Sequence, residues 1–92
     1  MINNNIIDND KGIKMFDINT LLKQAILETN NLNTGETFLV KDLFKGYEWN
    51  RIPRKNRLLL GTLFLSAVST NKNLNVEIFE KTPSNQQKYK IK

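Results

Sequence analysis

The sequence predicts an α+β fold in which a helix, a short strand, two further helices and a C-terminal β-hairpin follow one another. Three observations carry it. Apolar residues recur at helical spacing over 18–26 and again over 59–68. Pro53 stands just ahead of the second stretch, where the first turn of a helix tolerates a missing N–H. After residue 73 the apolar residues alternate with polar ones, the period of a strand. A chain of 92 residues with 39% hydrophobic types can build one modest core and has too little apolar surface for two.

Residues 1–15 are polar, with Asn3, Asn4, Asn5, Asn9 and Gly12, and carry no sustained period, so they are expected to form a mobile arm ahead of a domain over 16–92. From there Ile18, Leu21, Leu22, Ala25 and Ile26 mark one face of a first helix. Asp17 is placed to cap it, and the polar run from Asn30 to Gly35 ends it. The β-prone run Glu36-Thr37-Phe38-Leu39-Val40 reads as a brief strand, followed by a short helix over Lys41–Lys45 that stops at Gly46. Leu59, Leu60, Leu63, Phe64, Ala67 and Val68 then give the longest helix, over Arg54–Ser69. In the hairpin, Leu74, Val76 and Ile78 point inward on the first strand and Tyr89 and Ile91 on the second, with Thr82-Pro83-Ser84-Asn85 as the turn. This order is that of a winged helix-turn-helix domain; a three-helix bundle with an unrelated hairpin is the competing arrangement.

Composition narrows the function classes. Cys and His are both absent, which removes thiol nucleophiles, imidazole bases and the commonest transition-metal ligands. No enzyme site and no cofactor are expected. Asp42 and Glu48 could be read as paired carboxylates, but Lys41, Lys45 and Arg51 lie close in sequence, and ion pairing is the expected role. No apolar run approaches the ~20 residues needed to cross a bilayer, and the polar, acidic start does not resemble a signal peptide, so no membrane contact and a cytoplasmic location are expected.

Charge is unevenly placed. Residues 1–40 hold three lysines against five carboxylates, a net −2, whereas 41–92 hold eleven Lys and Arg against four, a net +7. Such a half favours a polyanionic partner. All three arginines, Arg51, Arg54 and Arg57, fall with Lys55 at the head of the long helix, where side chains and free backbone amides face a ligand together. Lys41 and Lys45 precede them. Tyr47 and Trp49 stand between these groups; aromatic rings beside cations suit single-stranded nucleic acid, although Trp49 is better read as core filling. Lys81, Lys88 and Lys90 are expected to form a second basic strip on the outer face of the hairpin, where edge lysines also deter strand pairing. Leu58 and Leu65, with Gly61 between them, lie away from the core face of the long helix and suggest a homo-oligomer contact.

The run from Phe38 through Asp42-Leu43-Phe44-Lys45-Gly46 to Trp49-Asn50-Arg51-Ile52-Pro53, continued by Arg57 and Leu60-Gly61-Thr62-Leu63-Phe64, resembles a family of small bacterial proteins encoded by staphylococcal cassette chromosome mobile elements and long catalogued as a domain of unknown function. The resemblance implies a winged-helix protein that binds single-stranded DNA and serves replication of the element, with replication proteins as possible partners. Two other functions fit the residues: a repressor that reads double-stranded DNA, and an adaptor whose basic end docks an acidic replication enzyme.

Overall fold

The computed structural model describes residues 17–92, so the arm expected over 1–15 lies outside the described residues. Helix α1 spans Ile18–Glu28 and ends in a 3-10 turn, Thr29–Asn31. Strand β1 is short, Thr37–Phe38, and leads through a 3-10 turn at Val40–Leu43 into α2, Gly46–Arg51. Helix α3 covers Arg54–Thr70, and the hairpin strands β2 and β3 cover Val76–Lys81 and Gln87–Ile91. The three strands form one antiparallel sheet in the order β1-β3-β2. The architecture is therefore α+β, three helices with a three-stranded antiparallel sheet.

Local chemistry accounts for the boundaries. Asp17 caps α1, its carboxylate accepting the Asn19 N–H at 3.2 Å and the Thr20 hydroxyl at 3.2 Å. At the far end of α1 the Thr29 hydroxyl donates to the Ile26 carbonyl at 2.6 Å. Gly35 takes φ +90, a left-handed conformation that side chains resist, and from there its N–H reaches the Ile91 carbonyl at 2.8 Å. This turn sets β1 beside β3.

The second helix lies later than the sequence reading placed it. Lys41–Lys45 does not form an α-helix: Val40, Leu43 and Phe44 all enter the core, and the segment closes as a 3-10 turn instead. Gly46 opens α2 rather than stopping a helix. Asp42 and Glu48, expected in ion pairs, serve as helix-start acceptors, taking the N–H groups of Leu39 at 2.9 Å and Lys45 at 3.2 Å. Helix α2 stops because Ile52 precedes a proline, whose ring forces it into extended backbone at ψ 126. Pro53 then leads directly into α3, so the two helices are joined by Ile52 and Pro53 alone, with Ile52 buried beneath the joint.

The core gathers α1 through Leu21 and Ala25, α3 through Leu60 and Phe64, and the sheet through Phe38, Val76, Tyr89 and Ile91. At its centre Tyr89 stacks on Phe38 at 5.6 Å and meets Phe64 edge-on at 4.9 Å, the two arrangements that aromatic quadrupoles favour. Ile78 lies on the same face as Val76, opposite the buried Tyr89, as the alternation predicts, but it is 46% exposed on an edge strand of the sheet. Beyond Ile78 the pairing slips: Ile78 faces Tyr89 while Lys81 faces Gln87, so β2 carries one extra residue at a bulge over Phe79 and Glu80.

Burial in this aromatic cluster pushes the Tyr89 phenol up to about 12, because the charged phenolate loses its solvation. The folded chain therefore holds this proton more tightly than the unfolded one, whose tyrosine titrates near 10. Stability from Tyr89 is complete below pH ~10 and is lost as pH rises toward 12, at up to about 1.4 kcal/mol per pH unit. Urea unfolding of the parent and of Tyr89→Phe should give parallel pH profiles at neutral pH that diverge above pH ~10, the phenylalanine variant losing less.

Candidate nucleic-acid interface

Helix α3 turns Leu60 and Phe64 to the core and leaves Arg54, Leu58, Gly61 and Leu65 along another side, a row that repeats at helical spacing. The hairpin stands beside this row and the segment before α2 closes its end. Together they enclose a groove of about 490 Å³. Its apolar wall comes from Leu58 and Leu65 of α3, Leu39 and Val40 of the segment after β1, and Trp49 of α2. Among the described residues four cations line it, Lys41, Arg54, Arg57 and Lys81, and no Asp or Glu does. The hairpin end adds the amide side chains Asn85, Gln86 and Gln87.

Lys81 reaches the groove because of the bulge. Strict alternation from Val76 would put it on the outer face with Glu77, but the extra residue reverses the parity and sets it opposite Gln87, on the side of Tyr89 and Ile91. The single basic strip expected from Lys81, Lys88 and Lys90 is thus divided. Lys88 and Lys90 remain outside, where the Lys88 ammonium lies 3.9 Å from Glu80 and that of Lys90 sits 5.3 Å from the centre of the Phe79 ring. The hairpin turn that carries Asn85 is well tied: the Thr82 N–H donates to the Gln86 carbonyl at 2.8 Å, and Asn85 takes the left-handed φ of 69 that asparagine tolerates.

The arginines divide as well. Arg54 and Lys55 are exposed, and only Arg54 lines the groove. Arg57 is half-buried, donating its Nε–H to the Ile52 carbonyl at 2.9 Å while its guanidinium lies 5.9 Å from the Trp49 ring centre. This arginine braces the joint between α2 and α3 besides lining the groove.

Trp49 is half-buried, packs against the core and lines the groove, so filling and lining fall to one side chain. Tyr47, two positions earlier, lies on nearly the opposite side of α2. It is 54% exposed, with the Arg51 guanidinium 5.0 Å and the Lys45 ammonium 6.0 Å from its ring centre. These three form a second basic patch, apart from the groove. Among the described residues no group of acidic side chains could hold a metal ion, and no helix is long and apolar enough to cross a membrane.

Residues 23–90 match the family model described as Domain of unknown function (DUF1413). No curated protein and no solved structure matches the chain.

The two groove arginines should behave differently on truncation. Arg57→Ala removes the donor to the Ile52 carbonyl and should lower the unfolding free energy by about 1 kcal/mol or more, whereas Arg54→Ala should stay within about 0.5 kcal/mol. Urea denaturation of the two variants checks this; equal stabilities would remove Arg57 from the joint.

Proposed function

We propose that this chain, which belongs to the family of the Domain of unknown function (DUF1413), is a non-catalytic protein that binds single-stranded DNA in the groove beside α3. The observation that carries this reading is a recess whose described lining has four cations, no carboxylate and a partly apolar wall. Cations set around a groove draw a phosphate backbone and release its counterions, and an apolar wall gains from bases only where they are unpaired. A duplex keeps its bases stacked inside and offers such a wall nothing.

The shape favours the same ligand. A helix that reads duplex DNA must project into a major groove about 12 Å wide. Here the outer row of α3 is one wall of a concavity, with the hairpin end at its side. The element order and the sheet order β1-β3-β2 support a winged helix-turn-helix, with the β2–β3 hairpin as the wing. The resemblance of the segment from Phe38 to Phe64 to proteins of mobile elements supports a cytoplasmic role in replicating such an element. Self-association through Leu58, Gly61 and Leu65 would use the same groove, so a second copy and a strand would exclude each other; sedimentation with and without oligonucleotide reads that competition.

Binding should fall steeply with salt, the logarithmic slope growing by about 0.7 for each phosphate contacted on a single strand. Replacing Arg54 and Lys81 together by Ala should weaken single-strand binding at least tenfold, about 1.4 kcal/mol. A mobility shift with single-stranded, double-stranded and RNA competitors at fixed salt tests the assignment. Equal competition by duplex would favour the repressor reading, and salt-independent affinity would favour an adaptor.

A further inference from the structure

Gly61 lies in the interior of α3, at the middle of the groove wall. A glycine there weakens a helix relative to alanine because it has more backbone freedom to lose. Close packing would explain it, but a Cβ built on Gly61 meets nothing within 4 Å. Nor does the backbone need glycine, since Gly61 is absent from the positive-φ residues and sits in regular helix. Among the described residues nothing therefore calls for a bare backbone at this position. The use lies with what the groove receives.

Gly61 is flanked along the same row by Leu58 and Leu65, 63% and 36% exposed. Seven residues separate these leucines, a rise of about 10.5 Å, so the missing side chain between them leaves a notch with apolar sides and peptide backbone as its floor. Thr62, the neighbour that could bring a hydroxyl into it, donates its Oγ1 hydrogen to the Leu58 carbonyl at 3.2 Å. Tyr89 lines the same groove, is 1% exposed, and has no hydrogen bond to its hydroxyl among the described residues. Arg54, one step along the row, supplies a cation for the phosphate that an inserted base would bring with it.

We infer that the notch over Gly61 takes a nucleobase, seated between Leu58 and Leu65 while Arg54 holds its phosphate. This rests on the single-strand reading and adds to it that the groove binds bases as well as backbone. A phosphate-only groove would be indifferent to a methyl group at residue 61; a base lying against the helix would not.

The test compares Gly61→Ala and Gly61→Leu with the parent, using a thymidine oligonucleotide and an abasic phosphodiester strand of equal length, by fluorescence anisotropy at fixed salt. The parent should prefer the thymidine strand. Both variants should lose roughly fivefold or more of their affinity for it, leucine the more, with affinity for the abasic strand unchanged. Both should also unfold at a higher temperature than the parent, as helix propensity requires, which separates lost binding from lost folding. Variants that bind thymidine like the parent, or lose both strands equally, would overturn the base notch and leave the single-strand groove standing. A parent that binds neither strand would overturn both.

Discussion

The contact on which the rest depends is the meeting of Phe38, Phe64 and Tyr89. One ring comes from each of β1, α3 and β3, and the cluster fixes the sheet against the long helix. Because β2 is held to the sheet through β3, the hairpin takes its position beside α3 from this cluster, with Val76 and Ile91 packed into the same core. The groove is the space left on the far side of that junction. Its width is thus decided by buried rings rather than by the charged residues that line it. Tyr89 belongs to both, closing the core and lining the groove.

A second constraint acts at the joint of α2 and α3. Pro53 ends one helix and starts the next, Ile52 anchors the turn from below, and Arg57 reaches back to the Ile52 carbonyl. Through that joint Trp49 is brought beside Leu58 and Leu65 on the groove wall. One member of the basic run at the head of α3 is therefore architecture. Arg57 holds a turn, whereas Arg54 is exposed and lines the groove.

The long periodic elements were legible in the sequence because their patterns are local. The apolar repeat of α1 and the Asp17 cap lie where the spacing predicts, α3 turns Leu60 and Phe64 inward but leaves Leu59, read on the same face, 46% exposed, and Tyr89 and Ile91 face inward as the alternation requires. The second helix was misplaced because Val40, Leu43 and Phe44 satisfy the core from a 3-10 turn, whose burial pattern resembles a short helix. The groove could be anticipated only in its ingredients. Lys41, Arg54 and Lys81 are far apart in the chain, and nothing in the sequence counts the bulge that returns Lys81 to their side. Leu58, Gly61 and Leu65 stood out as an uncovered face, but their partnership with the hairpin depends on tertiary packing alone.

Among the described residues the groove lining carries cations and no carboxylate. Lys41, Arg54, Arg57 and Lys81 add their fields in one recess, with no fixed counter-charge among its described lining residues. Dissolved ions relieve that repulsion, with a screening length of about 10 Å at 0.1 M. The same ions compete with a phosphate backbone for these side chains. On the proposed single-strand reading, ionic strength would act on this chain with opposite signs, easing repulsion in the free groove while loosening its hold on a polyanion, and a bound strand would be the counter-charge.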